Sequence, residues 1–311
     1  MRRPISALLP IRDGEKWVLT AIDNLNRTLL PIDEVIIVDD GSTDRTLEIL
    51  NRTDFKCSAK VLSNRSPGLV NALNLGIAEA RNLWIARYDV DDEYIDERID
   101  LQIGALEEDD VAIFSDFQIF SEEREYLGYI TSPLTHLAIY LSLLKSERNA
   151  HPSVIFRRDA VLKVGGYLES DFPCEDLSLW LRLAEVGNLK GIPHPTLKYV
   201  LRRASVSGVR YREAKSKTQV VVDKYFNFGI NLKLSDLHDS FCIYKKTTLS
   251  LERKLFLLRD LFEFNSRSKF KPELRAYLLL QTLFSFFNPK LLFVCIRELR
   301  DRKRRQKYRV S

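Results

Sequence analysis

An alternation of short apolar runs with helix-length segments limits most severely what this chain can fold into. Apolar runs at residues 5–11, 34–38, 59–62, 83–88 and 111–117 are separated by stretches of helical periodicity near residues 15–27, 45–51, 69–80 and 95–106. Runs so short and so uniformly apolar read as strands covered on both faces. Intervening helices of this length return the chain to a parallel neighbour by right-handed crossovers. The expected fold class is therefore α/β, a mainly parallel central sheet flanked by helices. In such a sheet ligands bind beyond the carboxyl ends of the strands, so the residues that follow each run are the ones to inspect.

Those residues are acidic twice. The run Val35-Ile36-Ile37-Val38 ends in Asp39-Asp40-Gly41-Ser42-Thr43-Asp44, and Leu83-Trp84-Ile85-Ala86-Arg87-Tyr88 ends in Asp89-Val90-Asp91-Asp92-Glu93. A turn that caps a helix needs one acid and not four. Carboxylates crowded together repel one another and call for a cation. One or two carboxylates, completed by substrate phosphate and water, are how Mg²⁺ or Mn²⁺ carries a nucleotide diphosphate. There is neither a GxxxxGK[ST] phosphate loop nor a GxGxxG after the first run, which argues against a kinase or a dinucleotide oxidoreductase. A net charge of +5 over 311 residues is mild and does not suggest a nucleic-acid partner. Four scattered cysteines form neither a disulfide framework nor a zinc spacing and suit a reducing compartment. The basic then apolar start, Met1 to Ile11, is short for a signal peptide and reads as a first buried strand.

The order of motifs resembles the family 2 glycosyltransferases. It runs from Leu8-Leu9-Pro10-Ile11 through Val38-Asp39-Asp40-Gly41-Ser42-Thr43-Asp44 and Asn64-Arg65-Ser66-Pro67-Gly68-Leu69-Val70-Asn71-Ala72-Leu73-Asn74 to Asp89-Val90-Asp91-Asp92. It continues through His151-Pro152-Ser153-Val154-Ile155-Phe156-Arg157, Gly165-Gly166-Tyr167 and Glu175-Asp176-Leu177-Ser178-Leu179-Trp180. The resemblance covers about residues 4–210 and implies the GT-A fold, with residues 1–211 as catalytic domain and 212–311 as a helical C-terminal extension. It implies an inverting transfer of sugar from a nucleotide-diphosphate donor to a glycan or lipid-linked acceptor, in surface polysaccharide or lipopolysaccharide synthesis, assisted by Mg²⁺ or Mn²⁺. On the donor side it marks Pro10, Asp39, Asp40, Asn64, Gly68, Asn71, Asp91 and Arg202. Asp91 and Asp92 are the metal candidates, Asp92 being the direct ligand. Arg87, just ahead of them, either neutralises the cluster or makes a structural salt bridge. Asp176 is the candidate general base, and His151 and Glu175 lie on the acceptor side, His151 being either functional or a packed loop residue.

Two positions depart from the family pattern. The usual Pro-x-Tyr-Asn is Pro10-Ile11-Arg12-Asp13, and Arg202 stands where a histidine near the diphosphate is common. A guanidinium still grips phosphate through its forked donors. An inverting transfer needs a base for the acceptor hydroxyl and a countercharge for the departing diphosphate. The competing readings are a sugar-phosphate nucleotidyltransferase, for which Arg12-Asp13-Gly14-Glu15-Lys16 is a poor phosphate loop, and a non-catalytic sugar-nucleotide-binding module, which would need no base. Residues 276–296 are strongly apolar but interrupted at Asn288-Pro289, and eight basic residues follow between 297 and 309. That pairing suggests interfacial helices on an anionic membrane, at the inner face of the plasma membrane, with a homo-oligomer contact as the alternative.

Overall fold

In the computed structural model, which describes residues 2–144, 150–202 and 210–226, every residue of strands β1 (Ile5–Ile11) and β2 (Glu34–Asp39) is buried. Alternation explains how a continuous apolar run serves two faces. Ile5, Ala7, Leu9 and Ile11 of β1, with Val35 and Ile37 of β2, pack on Val18, Ala21, Ile22 and Leu25 of helix α1 (Val18–Thr28). Leu8, Ile36 and Val38 point the other way, onto Val70, Leu73 and Ile77 of helix α3 (Leu69–Glu79). Helix α3 lies so close to the sheet that a Cβ on Gly76 would come within 2.1 Å of Leu8 Cδ1, so a side chain there would push the layers apart.

The remaining elements are helix α2 (Thr46–Asn51), β3 (Ser58–Ser63), β4 (Trp84–Arg87), β5 (Glu93–Tyr94), helix α4 (Arg98–Gly104), β6 (Asp110–Phe120), β7 (Tyr126–Ile130) and helix α5 (His136–Leu144). A 3₁₀ turn at His151–Ser153 leads into β8 (Ile155–Arg157) and helix α6 (Arg158–Lys163). Helix α7 (Glu175–Leu183), β9 (Asn188–Val200) and helix α8 (Tyr211–Phe226) complete the described chain. The strand order is β3-β2-β1-β4-β8-β6-β9-β5, with β7 also on β6. The first four strands are parallel, as expected. Antiparallel pairs of β8 with β4 and β6, of β7 with β6 and of β5 with β9 extend the sheet, while β9 runs parallel to β6.

Strand β8 begins only at Ile155, because His151-Pro152-Ser153 forms the 3₁₀ turn. The long β9 pairs with β6 through register shifts around Asp116. Helix α8 packs on α7: the Cys174 thiol donates to Ala214 O at 3.4 Å, and the Ser178 hydroxyl lies 3.2 Å from Tyr225 OH. The apolar and basic C-terminal segment lies outside the described residues. Among the described residues no helix is long and apolar enough to cross a membrane.

Candidate active site

The strand order places a switch point between β1 and β4. From β1 the chain moves outward through β2 and β3, then returns to β4 on the opposite side. The connections diverge there and leave a crevice beyond the carboxyl ends. Both acidic turns open onto it, one after β2 and the other after β4.

On the β2 side each acid has a backbone task. Asp39 accepts from Ser42 N at 3.2 and 3.3 Å, closing the turn. Asp40 donates its own N–H to Ile11 O at 2.8 Å, and its carboxylate accepts from Asn64 Nδ2 at 2.6 Å and Gly68 N at 2.8 Å. Gly68 has φ 128°, a conformation open to glycine, and starts α3; Asn71 Nδ2 reaches back to Pro67 O at 3.4 Å. Asp40, Asn64, Gly68 and Asn71, marked separately in the sequence, thus form one connected corner, with Pro10 buried in β1 opposite Val38. A second set of bonds zips the loops after β1 and β2. Asp13 accepts from Thr43 N at 2.7 Å, Gly14 N donates to Thr46 Oγ1 at 2.8 Å, and Glu15 N donates to Asp44 Oδ2 at 3.0 Å. Arg12, standing where the family has an aromatic, is exposed.

The β4 side is more strongly charged. Asp92 is 2% exposed; its Oδ1 accepts from Val200 N at 3.0 Å, and its Oδ2 is buried with no hydrogen-bond partner among the described residues. Burial first, then Asp89 and Asp91, push its carboxyl well above the ordinary range. Asp91 is more open, with a quarter of its side chain exposed, and Arg202 Nε lies 3.4 Å from its Oδ2. Burial and Asp89 raise Asp91 as well, against the pull of Arg202. Of the two expected metal ligands, Asp91 is therefore the accessible one, while Asp92 fastens the end of β9. Among the described residues no group of three or more His, Cys, Asp or Glu converges on a cation position.

Arg87 ties this turn to the opposite wall. It is buried in β4, and its Nη2 pairs with Asp89 Oδ1 at 2.5 Å. Burial opposes its charge most strongly, but Asp89, Tyr167 and Tyr94 together outweigh that and hold the pKa above the ordinary value. The same guanidinium acts electrostatically on Glu175, Asp176 and His151. The sequence left Arg87 open between neutraliser and salt bridge, and it is both.

Glu175 and Asp176 occupy the first turn of α7, where the helix dipole favours acids. Asp176 is half-buried and accepts from Leu177 N at 2.7 Å; desolvation raises its pKa, with Arg87 pulling it back. Glu175 is 5% exposed, its Oε2 has no hydrogen-bond partner among the described residues, and burial together with Asp176 pushes it up to about 8. His151 Nε2 lies 2.6 Å from Tyr167 OH, and its ring meets Trp180 edge-on at 5.8 Å. Desolvation and Arg87 lower its pKa well below the ordinary value, so the imidazole is neutral.

Sequence reasoning missed the residues that hold these groups in place. Asn74 of α3 accepts from Tyr167 N and donates to Tyr167 O, both at 2.9 Å, clamping the Gly165-Gly166-Tyr167 loop. Arg182 of α7 grips the same loop through Val164 O and Gly166 O at 2.6 and 2.7 Å. Beneath the acidic turn, buried Arg98 lies 4.4 Å from the ring centroids of both Tyr88 and Tyr94 and donates to Arg87 O at 2.9 Å. Tyr94 OH in turn accepts from Asp89 N at 2.8 Å. The available signal was Arg98 and Gln102 one turn apart beside Ile99 and Ile103, polar side chains on an apolar face.

The sequence pattern of Glycosyl transferase family 2 matches residues 6–165, half of the chain. The protein belongs to this family. It is 27% identical over 220 residues to the O-antigen biosynthesis glycosyltransferase WbnJ of Escherichia coli, covering 68% of this chain and 86% of that one. It spans only 29% of the length of an uncharacterised glycosyltransferase of Rickettsia bellii, to which it is 26% identical over 200 residues. Its fold is similar to that of S. aureus TarS residues 1–349 in complex with UDP, with TM-score 0.59 and 16% identity over 94% of this chain and 89% of that one. It is likewise similar to the mannosyltransferase PcManGT of Pyrobaculum calidifontis, in complex with GDP-Man and Mn²⁺, with TM-score 0.55 and 15% identity over 95% and 84%. The chain therefore has the GT-A-like fold of a family 2 glycosyltransferase.

Proposed function

We propose that this chain is an inverting transferase that moves a sugar from a nucleotide-diphosphate donor, with a divalent cation, onto a glycan or lipid-linked acceptor in bacterial surface polysaccharide synthesis. The observation that carries this reading is Arg87. One buried guanidinium pairs with the acidic turn after β4 and acts on the two acids that open α7, so the donor-side and acceptor-side groups share one crevice. The nucleoside would lie against the corner of Asp39, Asp40, Asn64, Gly68 and Asn71. The names of WbnJ, TarS and PcManGT support the substrate classes.

The residues present fit a divalent cation of the kind that a nucleotide diphosphate brings with it. Asp91 offers an accessible carboxylate, and the buried Asp92 Oδ2 is an acceptor with no hydrogen-bond partner among the described residues. With no larger protein ligand set among the described residues, phosphate and water would complete the shell. Bound there, the cation would supply Lewis-acid countercharge to the diphosphate. Asp176 would take the proton of the acceptor hydroxyl as that oxygen attacks the anomeric carbon, and the diphosphate would leave from the opposite side, inverting the configuration. Burial raises Asp176, and the Leu177 N–H together with Arg87 opposes that rise and so favours its ionised, proton-accepting form. The apolar and basic residues 276–309 support a membrane-surface location for the acceptor reaction.

A thermal-shift screen of nucleotide diphosphates and nucleotide sugars, with and without Mn²⁺, tests the donor. A ligand that binds only the folded state stabilises it by about 2.7 kcal/mol at a hundred times its Kd, so the true donor should stand apart from the rest. A flat screen across all nucleobases would refute the reading.

A further inference from the structure

The end of β9 is stitched to the acidic turn through both acids. Val200 N–H donates to Asp92, while Arg202 donates Nη2 to Asp91 O at 3.1 Å and brings Nε to 3.4 Å from Asp91 Oδ2. A third contact holds this guanidinium. Its carbon lies 4.1 Å from the centroid of the Trp17 ring, at the residue just before α1. Arg202 is thus held between an aromatic face and a carboxylate, with its side chain only 6% exposed. Stacking of this kind fixes the plane of a guanidinium while leaving its edge N–H groups able to hydrogen-bond.

Two consequences meet at Asp91. It is the accessible carboxylate of the pair, and its charge is already partly neutralised by Arg202, so a divalent cation arriving alone must compete with an internal one. A diphosphate carries more charge than one carboxylate and fits the guanidinium fork in bidentate fashion, so it competes well for Arg202. Building on the donor and cation reading above, we propose that Trp17 holds Arg202 as an internal counter-ion of Asp91, and that the donor's diphosphate draws the guanidinium away from this carboxylate. Donor and divalent cation then bind as a linked pair. Trp17 is a positioning residue: it keeps Arg202 beside the crevice whichever anion it serves. By linkage, each ligand raises the affinity of the other by the same factor.

The test is isothermal titration of the full chain with MnCl₂ alone, with UDP, GDP or dTDP alone, and with each in the presence of the other. It compares wild type with Arg202→Met, Arg202→Lys, Trp17→Leu and Trp17→Phe, with thermal unfolding of every variant alongside. In wild type, nucleotide and Mn²⁺ should strengthen each other by about ten-fold, within the usual range of coupling between sites. Arg202→Met should bind Mn²⁺ alone about five-fold more tightly, bind nucleotide less tightly, and lose most of the mutual enhancement, since a competing charge is worth about that much. Arg202→Lys should keep the weak Mn²⁺ affinity of wild type because it keeps the charge. Trp17→Leu should move toward Arg202→Met, and Trp17→Phe should stay near wild type. If Arg202→Met does not fold, Trp17→Leu carries the Mn²⁺ measurement. Unchanged or weaker binding of Mn²⁺ alone in Arg202→Met and Trp17→Leu would overturn the proposal while nucleotide binding still upheld the donor reading. Absence of nucleotide binding in every form would overturn both.

Discussion

Replacing Glu175 with Gln removes a buried acid and keeps its shape, which makes the electrostatic cost of that acid measurable. Its ordinary value of 4.5 is raised to about 8 by burial and by Asp176. Below pH 4.5 the folded and unfolded chains are both protonated there, and the group costs nothing. Between 4.5 and about 8 the folded chain keeps a proton that the unfolded chain has lost, so stability falls by about 1.4 kcal/mol per pH unit. The loss is complete above about pH 8 and totals about 5 kcal/mol, a large share of the 5–15 kcal/mol that holds a typical domain together. Gln carries none of this slope. Its amide must find a partner where Oε2 has none among the described residues, a pH-independent cost of about 1–3 kcal/mol. Glu175→Gln should therefore be no more stable than wild type at pH 5 and clearly more stable at pH 8, the difference changing by about 4 kcal/mol over those three units. Urea unfolding at pH 5, 6, 7 and 8 reads this directly. Parallel curves for the two proteins would show that Glu175 ionises normally and that the pair at the start of α7 is not strained by burial.

Two further substitutions separate chemistry from positioning. Asp176→Asn keeps an acceptor oxygen for Leu177 N, so donor affinity in titration should stay near wild type while transfer falls by about 10²–10⁴-fold and loses its acid limb; equal loss of donor affinity would indicate a structural role. Asn74→Ala removes both hydrogen bonds of the Tyr167 clamp, so it should lower stability by about 1–3 kcal/mol and reduce kcat more than donor affinity; unchanged stability would mean the loop is held by Arg182 alone.

In the parallel half of the sheet β1, β2 and β4 were legible because they are buried on both faces and appear as apolar runs, whereas β3, expected to be covered as well, is an edge strand and largely exposed. The second half was not legible. Strand β7 has exposed Tyr126, Leu127 and Tyr129 and, among the described residues, pairs only with β6, so it shows no buried alternation. Most of β9 was hidden by Gly191, Pro193 and Pro195, which a strand interior rarely holds; the shifts in register against β6 around Asp116 accommodate them. Site acids were legible because several carboxylates after a buried strand exceed what a turn requires. Their supports were not, because Asn74, Arg98 and Trp17 carry ordinary helical or loop contexts and acquire meaning from partners distant in sequence, Tyr167, Val154 and Arg202.

That distribution has a physical cause. On the proposed function, the chain must bring together a donor corner built by local chain, from β2 to α3, and an acceptor wall built far along the sequence, from the 3₁₀ turn to α7. Local turns cannot span that gap. Among the links that do are the Asn74 clamp, the hydrogen bonds of Arg158 to Ile77 O and Ala78 O, the charge of Arg87 acting across the crevice, and the end of β9 lying on Asp91 and Asp92. Each joins an element of the parallel half to one from the mixed half. A mutation in any of them should therefore change how the two substrates are placed relative to one another more than it changes either binding surface alone. The expected signature is a fall in kcat with donor affinity nearly preserved. Asp91, Asp92 and Arg202 are the exceptions, because on the proposed function the donor's cation draws on the same acids.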